Sequence, residues 1–175
     1  MTLVHKANIL KYTQGLFLEV GHDVAKAYAG AIEFEDRIVD ATAMQLVLDP
    51  YQFDVIVTEN MFGDILSDQA SGLVGGLGFA PGVNIGKDVA MFEAVHGSAP
   101  DIAGRNVANP SALLLAACLM LDHLGLAETA SRIRGAMTAV VTEGETVTRD
   151  LGGTASTTEF SAAVIERMQV GVETV

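Results

Sequence analysis

The chain has 175 residues, with ten Lys plus Arg against 22 Asp plus Glu, so it is the size of one ordinary domain and carries a formal charge of −12. Half of its residues are hydrophobic and its mean hydropathy is +0.37, which supplies a core and excludes a disordered acidic tail. A pI near 4.5 excludes a broad surface for nucleic acid or an anionic membrane, because both need clustered Lys and Arg.

In chain order, Thr2 to His5 reads as a buried strand. Gln14 to Ala29 places Leu16, Val20, Val24, Ala27 and Tyr28 on one stripe at helical spacing, which predicts an amphipathic helix ending near Gly30. Asp40 to Leu48 is a second, short helix closed by Asp49 and Pro50. The β-branched run in Phe53 to Thr58 predicts a second strand, and Gly63 to Val74 another helix. Strand and helix in alternation indicate an α/β sheet.

The character changes near Gly75. The cluster Gly75-Gly-Leu-Gly-Phe-Ala-Pro-Gly82 follows a helix and runs into Pro81, whereas a dinucleotide fingerprint follows a strand and opens a helix. It reads as a connection. Val89 to Val95 is a third candidate strand, and helices follow at about Pro110 to Leu124, Ala127 to Glu143 and Ser156 to Met168.

The longest apolar run, Ala112 to Leu121, falls far short of the roughly 20 residues a membrane span requires. Met1 to Lys11 carries no apolar segment of a secretory signal. The single cysteine, Cys118, fits a reducing compartment and reads as core. Together these predict a soluble chain with the cytoplasm as default, the mitochondrial matrix being left open.

Three segments can carry chemistry. In Asn60-Met-Phe-Gly-Asp-Ile-Leu-Ser-Asp68 a helix would set Asp64 and Asp68 four residues apart on one face. Like charges there destabilise a helix by a few tenths of a kcal/mol, which a hard divalent cation would offset; the alternative is a solvated acidic face. In Glu93-Ala-Val-His-Gly-Ser-Ala-Pro-Asp-Ile-Ala-Gly104, the residues His96, Gly97, Ser98 and Ala99 suit close approach of a nucleotide. There Asp101 could accept both hydroxyls of an adenosine ribose and repel a 2′-phosphate; the alternative is a polar turn. In Val4-His-Lys-Ala-Asn8, Lys6 at a strand end is either a proton shuttle or a surface lysine. His5, His22 and His123 show no metal-ligand spacing, and His22 is expected on the exposed side of its helix.

Taken together and in this order, the segments resemble the metal-dependent β-decarboxylating dehydrogenases, the isocitrate and isopropylmalate dehydrogenase family. The resemblance runs from Val4 to about Met168, and Asn60 to Phe79, with Gly63, Asp64, Ser67, Asp68 and Gly76, looks like the family signature. It implies the α/β fold of that family, incomplete because what is present corresponds to the C-terminal half of a subunit. Residues 1–74 would be part of the small domain, with dimer-interface helices and the metal-binding helix; residues 75–175 would be the C-terminal part of the large, cofactor-binding domain.

Carried over by position, Asp64 and Asp68 would bind Mg2+ or Mn2+ together with Asp40 of the partner in a homodimer. Lys6 would be the proton-transfer group, reaching the partner's site, with Asn8 beside substrate and nicotinamide. Glu93, His96, Gly97, Ser98, Ala99, Asp101, Ile102 and Asn109 would contact NAD, because members using NADP place Lys and Tyr where this chain has Asp101 and Ile102. The implied activity is oxidative decarboxylation of isocitrate to 2-oxoglutarate and CO2, with homoisocitrate or 3-isopropylmalate as alternative substrates. No nucleic-acid or membrane partner is implied. The segments that would supply the substrate-binding serine and arginines are missing, so this length of chain alone is expected to be inactive. A non-catalytic, nucleotide-binding or regulatory partner is the second alternative, and the joint presence of Lys6, Asp40, Asp64 and Asp68 speaks against it.

Overall fold

Thr2–His5 forms β1, buried along its whole length in a computed structural model of the chain, which describes residues 1–170. It is the middle strand of a parallel three-stranded sheet, between Glu35–Ile38 (β2) and Ile56–Thr58 (β3). Its register sets Val4 opposite Arg37 on one side and Thr58 on the other. The Thr58 hydroxyl donates to the Val4 carbonyl at 2.9 Å. Burial follows from this central place: β1 alone has a neighbour on both sides, and its apolar Leu3 and Val4 face opposite sides of the sheet.

Three helices accompany the strands: Thr13–Lys26 (α1), Val39–Leu48 (α2) and Asn60–Leu73 (α3). Val4, Leu46 and Leu66 form the buried cluster, with Val39, Ala43, Phe53 and Ile56 packed around it. Gly21 marks the crossing of α1 over β1, since a Cβ there would stand 2.1 Å from Leu3 Cδ1. Only the missing side chain lets the helix approach so closely.

The stripe predicted as the buried face of α1 is not buried. Leu16 is 61% exposed, and Val20, Val24 and Tyr28 are all at least 51% exposed. Ala27 and Tyr28 lie beyond the helix end. The apolar pattern is real, but the described residues offer nothing to cover it, and an open cavity of about 550 Å3 results, lined by Leu3, Phe17, Val20, Val24, Phe34 and Val57 among others.

Other expectations shift as well. The strand predicted from Phe53 begins only at Ile56, because Pro50–Gln52 makes a turn whose Pro50 carbonyl accepts the Phe53 N–H at 3.3 Å. Strand β2 was not anticipated. Its residues Glu35-Asp-Arg-Ile have no apolar alternation, and it is held through backbone pairing, an Arg37–Glu35 ion pair of 2.9 Å and the Arg37 guanidinium over the Phe53 ring at 5.0 Å.

The contacts divide the chain into two compact units, Met1–Leu73 and the remainder from Val74. In the second, the glycine-rich stretch is more than a connection: Pro81–Ile85 is a strand (β4), antiparallel to Ala90–Ala94 (β5). Proline at the first position explains why a strand fits there, since its missing N–H breaks no interior pairing. Ser111–His123 (α4) packs on this hairpin and on Ala127–Glu143 (α5), which packs in turn on Thr157–Val170 (α6). Their core is Ala136, Met137, Val140, Val147, Phe160 and Val164. Cys118 is buried, and burial pushes its thiol pKa up, as suits a core residue. Among the described residues no helix is long and apolar enough to cross a membrane.

Candidate active site

The carboxyl end of β1 turns directly into Lys6, Ala7 and Asn8, and this turn carries the first group of candidate residues. The Lys6 carbonyl accepts the N–H groups of Ile9 and Leu10 at 3.1 and 2.9 Å, and the Lys6 N–H donates to the buried Gln14 Oε1 at 3.3 Å. Lys6 Nζ donates to the carboxylate of Asp40, in the first turn of α2. The lysine side chain is 24% exposed and the aspartate 69%. The Lys6 ammonium, followed by the backbone N–H of Asp40 itself, holds the Asp40 carboxyl below the usual range. Asn8 is exposed on the same turn.

On α3, Asp64 and Asp68 are both exposed and one helical turn apart. Glu59 immediately before the helix accepts the N–H groups of Phe62 and Met61 on its two carboxylate oxygens, at 3.3 and 3.1 Å. This satisfies donors that a helix start leaves free. Among the described residues no three acidic, histidine or cysteine side chains gather closely enough to hold a metal, so Asp40 does not join Asp64 and Asp68 within one chain. Two carboxylates on one helix face suit a hard cation in part, and a third ligand has to come from elsewhere.

In the second unit, the loop after β5 is open. Glu93, His96, Gly97, Ser98, Ala99 and Asp101 are exposed, and Ile102 and Asn109 are partly buried. Ala99 lies in the left-handed region at φ 42°, uncommon for a residue with a Cβ, and opens the turn Pro100–Ile102, closed by the Ile102 N–H to the Ala99 carbonyl at 3.0 Å. His96 Nδ1 lies 3.0 Å from the Gly97 carbonyl, and Glu93 accepts from Asn84 Nδ2 at 3.2 Å. Asp101 forms no ion pair among the described residues, so both of its oxygens are available. Asn109 is placed differently from the rest: its Nδ2 donates to Asp150 at 2.8 Å and its Oδ1 accepts the Ser111 N–H at 2.9 Å. Its side chain thus shapes the start of α4, leaving backbone groups for a ligand.

One residue escaped the sequence reading. Asp36 on β2 meets His5 Nε2 at 3.1 Å and His22 Nε2 at 3.0 Å. His22 is 48% exposed, in keeping with its expected place, yet it is engaged. Nothing in the spacing of positions 5, 22 and 36 announces this cluster, because it depends on the parallel pairing of β1 with the unanticipated β2.

A family model described as isocitrate/isopropylmalate dehydrogenase matches residues 1–164. The chain is 52% identical to a 3-isopropylmalate dehydrogenase of Archaeoglobus fulgidus, covering 94% of this chain and 50% of that protein. It is 54% identical to an isocitrate/homoisocitrate dehydrogenase of Thermus thermophilus, covering 95% and 49%. With the α subunit of human mitochondrial NAD isocitrate dehydrogenase it shares 48% identity over 97% of this chain and 46% of that protein. The crystal structure of isocitrate dehydrogenase from Methylococcus capsulatus superposes with a TM-score of 0.92 at 54% identity, covering 96% of this chain and 50% of that one. The chain thus spans about half the length of the curated relatives it matches. Matched from its first strand into its last helix, with a fold shared at that closeness, it belongs to the isocitrate/isopropylmalate dehydrogenase family.

Proposed function

We propose that the chain is the C-terminal portion of an NAD-dependent isocitrate dehydrogenase, working within a complete subunit of a homodimer and in the cytoplasm. The observation that carries this reading is the Lys6–Asp40 pair at the end of β1. Two groups that the family resemblance sends to the same neighbouring site stand together on one chain, while Asp64 and Asp68 remain on a separate helix face.

In this reading Asp64 and Asp68 of one chain and Asp40 of a second hold Mg2+ or Mn2+, which when bound supplies Lewis acidity for loss of the β-carboxylate. Lys6 Nζ, in its neutral amine form, would accept the proton that the 2-hydroxyl must lose, and Asn8 on the same turn would orient substrate against the nicotinamide. Asp101 accepts the ribose hydroxyls, and its charge opposes a 2′-phosphate. His96, Gly97, Ser98, Ala99, Ile102 and Glu93 shape the remaining cofactor surface, with Asn109 contributing its backbone. The relatives include enzymes named for isocitrate, homoisocitrate and 3-isopropylmalate. The His5-Lys-Ala-Asn8 and Ala80-Pro-Gly-Val-Asn-Ile-Gly86 segments resemble the isocitrate branch, and Thr148-Arg-Asp-Leu-Gly-Gly153 resembles its NAD-dependent members.

The test is an assay with isocitrate, Mn2+ and NAD. The chain alone should give no turnover, and adding the N-terminal half of the Methylococcus or Thermus relative should restore it, with isocitrate preferred over homoisocitrate and 3-isopropylmalate. Turnover by the chain alone in proportion to its concentration overturns the reading. In the complemented enzyme, Asp101→Lys with Ile102→Tyr should move preference toward NADP; an unchanged ratio of kcat/KM for the two cofactors removes Asp101 from its role.

A further inference from the structure

His5 is the last residue of β1 and is almost fully enclosed, its side chain only 6% exposed. Both of its ring nitrogens are engaged. Nδ1 lies 3.0 Å from the backbone nitrogen of Ala7, and Nε2 lies 3.1 Å from Asp36 Oδ2. A backbone N–H can only donate, so Nδ1 must present its lone pair. The single proton of the neutral ring therefore sits on Nε2, where a carboxylate accepts it. The two contacts select one tautomer between them.

That hydrogen bond spans the residue between its partners, which is Lys6. The Lys6 backbone is then held from several directions: by the His5 to Ala7 bond across it, by Gln14 accepting its N–H, and by Ile9 and Leu10 donating to its carbonyl. With the main chain fixed at this point, the lysine side chain has a defined origin from which to reach Asp40.

We infer that His5 is a positioning residue for Lys6: its Nδ1 lone pair, preserved by the bond from Nε2 to Asp36, shapes the turn that presents the lysine ammonium and Asn8. The inference rests on the reading of Lys6 as the proton-transfer group. His22, on α1, bonds the second oxygen of the same carboxylate and so fixes Asp36 from the other side. Asp36 from β2 thus joins His5 to His22 of α1.

The geometry names its own substitute. Asparagine carries Oδ1 on Cγ, as histidine carries Nδ1, and an asparagine oxygen accepting the N–H two residues on is the ordinary Asx turn. Phenylalanine fills the space of the imidazole and accepts nothing.

Long-range nitrogen–proton NMR of the 175-residue chain should find His5 as the Nε2–H tautomer at neutral pH, a reading that needs no variant. Amide exchange then separates the alternatives: His5→Phe should speed exchange at Ala7 about fivefold, the factor expected for one lost hydrogen bond, while His5→Asn keeps it near the starting rate. The Nδ1–H tautomer, or equal exchange in the Phe and Asn variants, overturns the inference. In the complemented enzyme, His5→Phe should lower kcat more than it raises KM, and His5→Asn should restore kcat. If Lys6→Met leaves turnover unchanged there, the proposed role of Lys6 fails, while the tautomer and exchange results still decide the role of His5 in the turn.

Discussion

In the unit from Val74 onward, α4, α5 and α6 close around Phe160, Val140 and Met137, so apolar faces meet apolar faces. In Met1–Leu73 the buried cluster is only Val4, Leu46 and Leu66, and the apolar stripe of α1 stands exposed beside an open cavity of about 550 Å3. The difference follows from architecture. A parallel sheet requires cover on both faces, and the first unit has too few elements to supply it, whereas a set of packed helices can complete its own core with three members. The first unit concentrates its order elsewhere, at the polar end of β1, where Lys6, Asp40, His5, Asp36 and His22 tie β1, β2, α1 and α2 together. The unit with the smaller core holds the proton-transfer candidate, and the better packed one holds the open loop proposed for the cofactor.

The contrast can be broken most directly at the cores. Phe160→Ala should cost about 3–5 kcal/mol, measured by urea unfolding, because a fully enclosed ring leaves a cavity that three packed helices cannot close. Leu66→Ala should fall at the low end for its type, about 2 kcal/mol, since a small cluster beside open space can collapse. An equal loss at both sites would erase the distinction between the units.

A smaller effect is expected at the start of α6. The Ser156 hydroxyl accepts the Glu159 N–H at 3.2 Å, and the Ser156 N–H donates to Glu159 Oε2 at 2.8 Å, a reciprocal capping box. Ser156→Ala should cost about 1 kcal/mol by thermal melting. The Ser156 amide and then its hydroxyl hold the Glu159 carboxyl below its usual value of 4.5. This contribution is therefore complete above that value and is lost as pH falls through the lower folded one. Glu159→Gln should flatten that acid limb of the melting profile; an unaltered limb would remove Glu159 from it.

The smallest effect on stability is predicted on the exposed stripe. Val20→Lys should change the stability of the chain by no more than about 0.5 kcal/mol, yet impair restoration of activity by the complementary half. A large destabilisation of the isolated chain would show that the stripe is already covered.

Much of the fold is legible in local pattern. β1 has the bounds its apolar run predicts, and α5 spans Ala127–Glu143 as its periodicity indicates. The strands that escape, Glu35–Ile38 and Pro81–Ile85, are held by backbone pairing and carry charged, proline or glycine residues that speak for turns. Candidate residues divide in the same way. Asp64 and Asp68 share a helix face by spacing alone, whereas Asp36 reaches two histidines only because strands distant in the chain lie side by side.

Residue types at short separations suffice for the family, the helix periods, the aspartate pair and the chemical character of the segment from Glu93. Tertiary structure alone decided that Lys6 meets Asp40, that His5 is confined to one tautomer, that Asn109 spends its side chain on Asp150, and that the α1 stripe lies open. These depend on which backbone hydrogen bonds form across long separations and on how much apolar surface the chain has partners to cover. Periodicity announces a face that needs burial; only the assembled elements say whether anything buries it.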